Sequence, residues 1–144
     1  MIFNKFKKHT ASYLFLLILV ILVFAPHFQR GIFTGLDDSF HLSRIYSLAQ
    51  SLKNGVFPVK VHSYMCYGTG YGVGFGYSNL FLYLPALLTC FGVSLINTYK
   101  IYIFLILIAL SFTIYYSTYC LTNNTFSSLL SCMVVLFSNR IWWD

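Results

Sequence analysis

A long apolar run, Thr10 to Phe28, limits what this chain can fold into, because it contains no Asp, Glu, Lys or Arg. Similar runs follow at Asn79 to Ile96, at Tyr99 to Leu121 and, over a shorter length, at Phe126 to Trp143. About 20 apolar residues in a helix, at about 1.5 Å rise per residue, cross the hydrocarbon core of a bilayer. The chain is also 58% hydrophobic and only 8% charged. We therefore predict an all-α, multi-pass protein of the cell membrane with about four transmembrane helices.

The basic residues flank these runs rather than forming one patch. Three lysines stand in the tail, residues 1–9, and the other basic residues are scattered along the chain: Arg30, Arg44, Lys53, Lys60, Lys100 and Arg140. The net charge of +6 is therefore typical of membrane flanks, and we expect no nucleic-acid partner. No small-residue cleavage site follows the first run, so we predict a retained signal anchor with its basic tail in the cytoplasm.

One long polar and aromatic loop, residues 29–78, follows the first run and is predicted to be extracytoplasmic. Inside it, residues 39–54 predict an amphipathic helix, because apolar residues recur at helical spacing at Leu42, Ile45, Leu48, Ala49 and Leu52. The other side is polar and includes Arg44, Ser47 and Ser51. The apolar stripe is narrow, which is typical of a helix along the membrane interface. The three predicted spans in residues 79–144 have short connections, so only this loop is large enough for a functional site.

An acidic pair, Asp37 and Asp38, supplies two of the three acidic residues of the chain. Adjacent carboxylates at a membrane surface can bind a divalent cation, such as Mg²⁺ or Mn²⁺, or take a proton from a sugar hydroxyl. Both are therefore candidate catalytic residues and candidate metal ligands. An ordinary helix cap is the alternative, because Asp is a favoured N-cap residue and its charge suits the helix dipole.

Two basic residues follow the acidic pair at helical spacing. His41 comes three residues after Asp38, so one helical turn brings the two side chains close together. Arg44 lies about one turn further and either attracts a phosphate or neutralises the acidic pair. Both are candidate substrate-binding residues. His27 and His62 have no acidic neighbour in the sequence, and we expect them at the membrane interface instead.

A glycine-rich segment, Tyr67 to Tyr77, contains five of the nine glycines, mostly alternating with bulky residues. It lacks both the third glycine of a dinucleotide-binding loop and the Gly-Lys-Ser/Thr of a phosphate-binding loop. Glycine at every second position lets the backbone approach a neighbour or a ligand closely. Tyr67, Gly68 and Gly70 are therefore candidate substrate-loop residues. The alternative is a loop packed at the interface, with its tyrosines at headgroup depth.

The order of these features resembles the membrane glycosyltransferases of the C superfamily, which carry an acidic motif and a juxtamembrane helix in their first extracytoplasmic loop. The local sequence is more similar to one bacterial group, the polytopic "6-pyruvoyl-tetrahydropterin synthase-related" membrane proteins. The resemblance covers residues 33–88 and is carried by GLDDSFHLSRI, LKNGVFP, YGTGYG and YSNLFLYLPALL. Pterin-synthase chemistry itself is not expected, because it needs a zinc-binding set of histidines that this chain lacks.

The resemblance implies a polyprenyl-phosphate-linked sugar donor and transfer of the sugar to a cell-envelope glycan. By the same resemblance, Asp37 is the acidic residue of the first loop, acting as base or metal ligand, and Asp38 assists it. Superfamily members have more spans, so we expect this chain to correspond to their N-terminal part and to be too short for transfer on its own. The alternative is a small, non-enzymatic membrane scaffold or assembly subunit that contacts lipid and a partner membrane subunit.

Overall fold

A computed structural model describes residues 2–29 and 37–138, with side chains from His9 onward, and its regular elements are helices. In chain order they are α1 (Ile2–Phe24), α2 (Asp38–Lys53), α3 (Tyr83–Cys90), α4 (Leu95–Thr122) and α5 (Thr125–Leu136). The predicted all-α class is confirmed. Two helical stretches, His9–Phe28 and Leu95–Thr122, are long and apolar enough to cross a membrane. They correspond to the first and third predicted spans.

The second predicted span, residues 79–96, is not a single helix. It contains α3 and the first two residues of α4. Helix α3 has 8 residues and is therefore about 12 Å long, well short of the roughly 30 Å hydrocarbon core. The helix ends because Gly92 adopts a left-handed conformation with φ of 94°, and the amide of Val93 donates back to the Leu88 carbonyl at 3.2 Å. The helix predicted from the apolar composition of this segment is therefore longer than the helix in the structure.

The fourth predicted span, residues 126–143, is likewise shorter in the structure. The 12-residue helix α5 begins after Asn124, whose side chain accepts hydrogen bonds from the amides of Phe126 and Ser127, and it ends at Leu136. At about 18 Å it is shorter than the hydrocarbon core. Residues 139–143 lie outside the described residues. The described part of the chain therefore does not confirm four spans.

The chain divides into two compact units, and the first combines residues 1–30 with residues 103–144. Its main core cluster consists of Leu19, Val20, Phe24, Leu107 and Leu136. A second cluster joins Leu16, Tyr115 and Cys132. The buried His9 places its Nδ1 atom 2.8 Å from the Tyr115 hydroxyl. Helices α1, α4 and α5 thus pack through their apolar faces, with one buried polar contact near the start of α1.

The second unit, residues 31–102, contains α2, α3 and the first eight residues of α4. Helix α2 lies within one residue of the predicted 39–54 and packs against α3. Ile45, Leu48 and Ala49 are buried, as the apolar stripe predicts, and the Cys90 thiol donates to the Ala49 carbonyl at 3.4 Å. Three residues of the predicted polar side are also buried: Arg44, Ser47 and Ser51. The long loop covers that side, so α2 is a core element of this unit.

Replacement of Leu48 by Ala tests this packing. Leu48 is 0% exposed, so we expect Leu48→Ala to lower the free energy of unfolding by about 2–5 kcal/mol. Leu84→Ala is the matched control, because Leu84 is 51% exposed in the same unit, and its loss should be much smaller. Unfolding of the detergent-solubilised chain, followed by circular dichroism, gives both values. Equal losses would contradict the packing of α2.

Candidate functional site

The two acids of the pair have different surroundings at the start of α2. Asp37 is the N-cap residue, but its side chain makes no capping hydrogen bond, and the amide of His41 bonds to its backbone carbonyl instead. Asp37 is exposed. Asp38 is half-buried, and its Oδ1 atom accepts a 2.6 Å hydrogen bond from the Tyr99 hydroxyl. The Asp37 carboxylate is therefore not used as a helix cap, whereas Asp38 is held by the first turns of α4.

Arg44 points away from the acids and toward the loop that precedes α3. Its Nη2 atom donates to the Ser78 carbonyl at 3.1 Å and to Asn79 Oδ1 at 2.8 Å. Burial of the guanidinium lowers the pKa of Arg44, and the nearby Tyr77 opposes the shift. Among the described residues, Arg44 Nε is buried without a hydrogen-bond partner. These contacts show a structural role for Arg44, and phosphate binding by it stays a prediction.

The Arg44 guanidinium contacts two aromatic rings, one from α2 and one from the glycine-rich segment. Its Cζ atom lies 5.5 Å from the Phe40 ring centroid and 5.6 Å from that of Tyr77. Such cation–π contacts stabilise a desolvated guanidinium by about 2 kcal/mol. The Phe40 ring is also 5.5 Å from the ring of the half-buried His41. The first turns of α2 are thus fixed against the end of the glycine-rich segment.

Asn79 connects three parts of the second unit through one side-chain amide. Besides accepting from Arg44, it donates from Nδ2 to the Val59 carbonyl at 2.9 Å. His62 Nε2 lies 3.3 Å from Asn79 Oδ1, which assigns the ring proton to Nε2 in this contact. The expectation that His62 lies at the membrane interface is wrong, because His62 is 0% exposed. Its backbone pairs with that of Tyr71 through two hydrogen bonds.

The glycine-rich segment approaches another chain segment at Gly74. A Cβ atom at this position would lie 2.5 Å from the Lys60 carbonyl oxygen and 2.9 Å from Asn79 Nδ2. The predicted close approach is therefore present, although at Gly74 rather than at the two glycines singled out from the sequence. Gly68 and Gly70 instead adopt left-handed conformations, with φ of 86° and 88°, which glycine accommodates without strain.

Tyr67 stands on the surface of the same segment. It is fully exposed, and it lies in the short helical turn Cys66–Gly68 with a positive φ of 57°. Among the described residues, no hydrogen bond joins the acidic pair to Tyr67, Gly68 or Gly70. The structure therefore groups Asp37, Asp38 and His41 on the first turn of α2, and it does not bring the candidate glycine-rich residues into contact with them.

The acidic pair offers two carboxylates to a metal ion. In residues 2–29 and 37–138, no group of three or more His, Cys, Asp or Glu side chains is placed to hold an ion. Two carboxylates with water and a phosphate are a normal environment for Mg²⁺, which keeps several waters and seldom has an all-protein site. Metal binding by the pair therefore stays a prediction.

The chain matches no protein-family model, no curated protein and no solved structure. Its function is therefore inferred from the sequence features and the geometry described above. Sequence reasoning missed Tyr99 and Asn79, whose partners lie 61 and 35 residues away. An uncharged polar residue at the start of an apolar segment, as at Asn79, was the available signal, because buried amides are normally hydrogen-bonded.

Substitution of Gly74 tests the close approach of the two loop segments. We expect Gly74→Ala to destabilise the second unit by about 1–3 kcal/mol, because the new methyl group overpacks against a backbone carbonyl. Gly76→Ala is the matched control, since a Cβ atom there has nothing within 4 Å. Thermal unfolding of the two variants provides the comparison. A Gly76→Ala protein as unstable as Gly74→Ala would contradict the contact.

The buried His62 predicts a specific pH dependence. Burial lowers the pKa of His62, the Arg44 charge adds to this effect, and the hydrogen bond to Asn79 opposes it. The unfolded chain therefore binds this proton more tightly than the folded one. The stability that neutral His62 contributes is complete above its ordinary pKa of about 6.5 and decreases as the pH falls below that value.

We expect the difference in unfolding free energy between the unsubstituted protein and His62→Gln to shrink on acidification, by up to about 1.4 kcal/mol per pH unit. Denaturation curves of both proteins between pH 7.5 and 5 measure this difference. The other histidines are common to both proteins, so their titration cancels. A difference that stays constant or grows at low pH would contradict a buried, neutral His62.

Proposed function

We propose that this chain is the N-terminal part of a membrane glycosyltransferase-like protein that transfers sugar from a polyprenyl-phosphate donor to a cell-envelope glycan. The observation that carries this proposal is the free Asp37 carboxylate. It is exposed, it makes no capping bond, and it stands beside an Asp38 that is hydrogen-bonded to Tyr99 near the start of α4. A carboxylate that caps no helix and has no hydrogen-bond partner within the described part of the chain is available for chemistry.

The proposed reaction needs one base and one group that stabilises the leaving phosphate. Asp37 takes the proton from the acceptor hydroxyl while the acceptor oxygen bonds to the sugar and the bond from sugar to phosphate breaks. The polyprenyl phosphate leaves with the electron pair of that bond. Asp38, whose Oδ1 accepts a hydrogen bond from Tyr99, would help to hold a divalent cation, and such a cation would supply positive charge for the leaving phosphate. His41 and the Arg44 charge favour the anion, and the exposed turn at Tyr67, Gly68 and Gly70 is the proposed contact with the rest of the substrate.

The proposed location is the cell membrane, which the chain crosses more than once. Helical stretches His9–Phe28 and Leu95–Thr122 have the required length and apolar character. The basic tail favours a cytoplasmic N-terminus, which leaves residues 29–78 outside, where envelope glycans are assembled. The remaining substrate contacts would come from further membrane segments or from a partner membrane subunit.

Isosteric replacement of the acids tests the proposal in cells. A strain that lacks the intact gene is complemented with that gene, in its unsubstituted form or carrying Asp37→Asn or Asp38→Asn, and envelope glycans are analysed by mass spectrometry. Asparagine caps a helix about as well as aspartate but is neither a base nor a strong cation ligand. We therefore expect Asp37→Asn to lower sugar transfer by about 100-fold or more at normal protein levels in the membrane.

Asp38→Asn should give an intermediate loss, because its amide oxygen can still accept the hydrogen bond from Tyr99. Immunoblots of the membrane fraction establish that the variants insert equally. Full transfer by Asp37→Asn would rule out the catalytic role. An envelope glycan that does not change when the gene is deleted would rule out the transferase and leave the non-enzymatic subunit.

A further inference from the structure

Helix α3 is apolar on both of its faces. One face is buried in the second unit through Leu82, Pro85 and Ala86. The opposite side of α3 and its flanking turns expose five large apolar side chains, each between 46% and 84% accessible. Two of them lie in the helix, Leu84 and Leu87, and three in the turns beside it, Leu80, Phe81 and Phe91. We call these five residues the outer α3 face. A helix whose second face met water would carry polar residues there, so this face needs an apolar environment.

Helix α3 is attached closely to the beginning of α4. Only residues 91–94 separate the two helices, and four residues span at most about 14 Å. The Thr89 hydroxyl also donates to the Thr98 hydroxyl at 3.4 Å, and Thr98 is 0% exposed. If α4 crosses the bilayer, the outer α3 face therefore lies within a short distance of the lipid.

The surrounding sequence is suited to lipid rather than to water. Residues 61–99 contain no Asp, Glu, Lys or Arg, and charged side chains are strongly disfavoured in the hydrocarbon region. All five residues of the outer α3 face are Leu or Phe. Contacts between helices in membranes usually need small residues such as Gly, Ala or Ser, which let two backbones approach. A second helix is thus a poorer fit to this face than acyl chains are.

We infer that the outer α3 face is inserted into one leaflet of the bilayer, where it contacts lipid acyl chains without crossing the membrane. This inference rests on the proposed crossing of the membrane by α4. An interfacial helix of this kind sinks about 5–10 Å into the boundary between headgroups and acyl chains. The α2–α3 pair then holds the acidic turn of α2 at a fixed height above the lipid.

Spin labels in lipid vesicles test this placement. Single cysteines replace Leu84 or Leu87 on the outer α3 face, in the full chain with its native cysteines substituted. Leu105→Cys provides the control for the α4 span, because Leu105 is 44% exposed within it. Lys53→Cys provides the control for a water-exposed position. Collision of the nitroxide with oxygen, which concentrates in lipid, is compared with collision with a water-soluble nickel chelate.

At Leu84 and Leu87 we expect a ratio of oxygen to nickel collisions several-fold higher than at Lys53 and close to that at Leu105. Dominant nickel collisions at both α3 positions, with a lipid signal at Leu105, would overturn the inference and leave the membrane part of the proposed function intact. Low collision rates with both reagents would also overturn it, since protein would then cover the face. A water signal at Leu105 would reject the crossing by α4 and, with it, both proposals.

Discussion

The second unit depends on the hydrogen bonds of one buried amide, that of Asn79. Its oxygen accepts from Arg44 and lies within reach of His62, while its nitrogen donates to the Val59 carbonyl. Arg44 is a buried cation, and such a group is costly to bury unless its donors are satisfied. The same bonds therefore offset part of the cost of burial and attach the loop to α2. Without them, the start of α2 would lose its fixed relation to the glycine-rich segment.

The helices of the fold were predictable where local periodicity decides the structure. The apolar spacing at Ile45, Leu48 and Ala49 located α2 to within one residue. The uncharged runs indicated the two long apolar helical stretches, His9–Phe28 and Leu95–Thr122, although α1 itself begins earlier, at Ile2. The prediction of one long helix over residues 79–96 was wrong for a physical reason. The span was predicted from the apolar character of its side chains. The end of α3, however, is set by the backbone conformation of a single glycine, Gly92.

The contacts around the candidate site were not predictable from the sequence, and the assignment of the site residues stays a prediction. The rarity of acidic residues drew attention to Asp37 and Asp38, and the glycine pattern indicated a close approach without showing that Gly74 makes it. The bond from Tyr99 to Asp38 and the burial of His62 arise from tertiary packing between residues far apart in sequence. Helical spacing assigned Arg44 to the polar side of α2 but did not show that this side is buried, because spacing carries no information on what the loop covers.

The length of α4 has a consequence for the acidic pair. A bilayer crossing needs about 20 residues, and Ile103 to Thr122 supply that number, so the eight residues before them, including Tyr99, exceed what the hydrocarbon core requires. In a membrane crossed in this way, the tyrosine that anchors Asp38 stands among lipid headgroups. Phosphates and their counterions are concentrated in that layer. If the carboxylates bind a divalent cation, as proposed, the membrane surface itself would supply it, and the occupancy of the pair would follow the lipid composition of the leaflet.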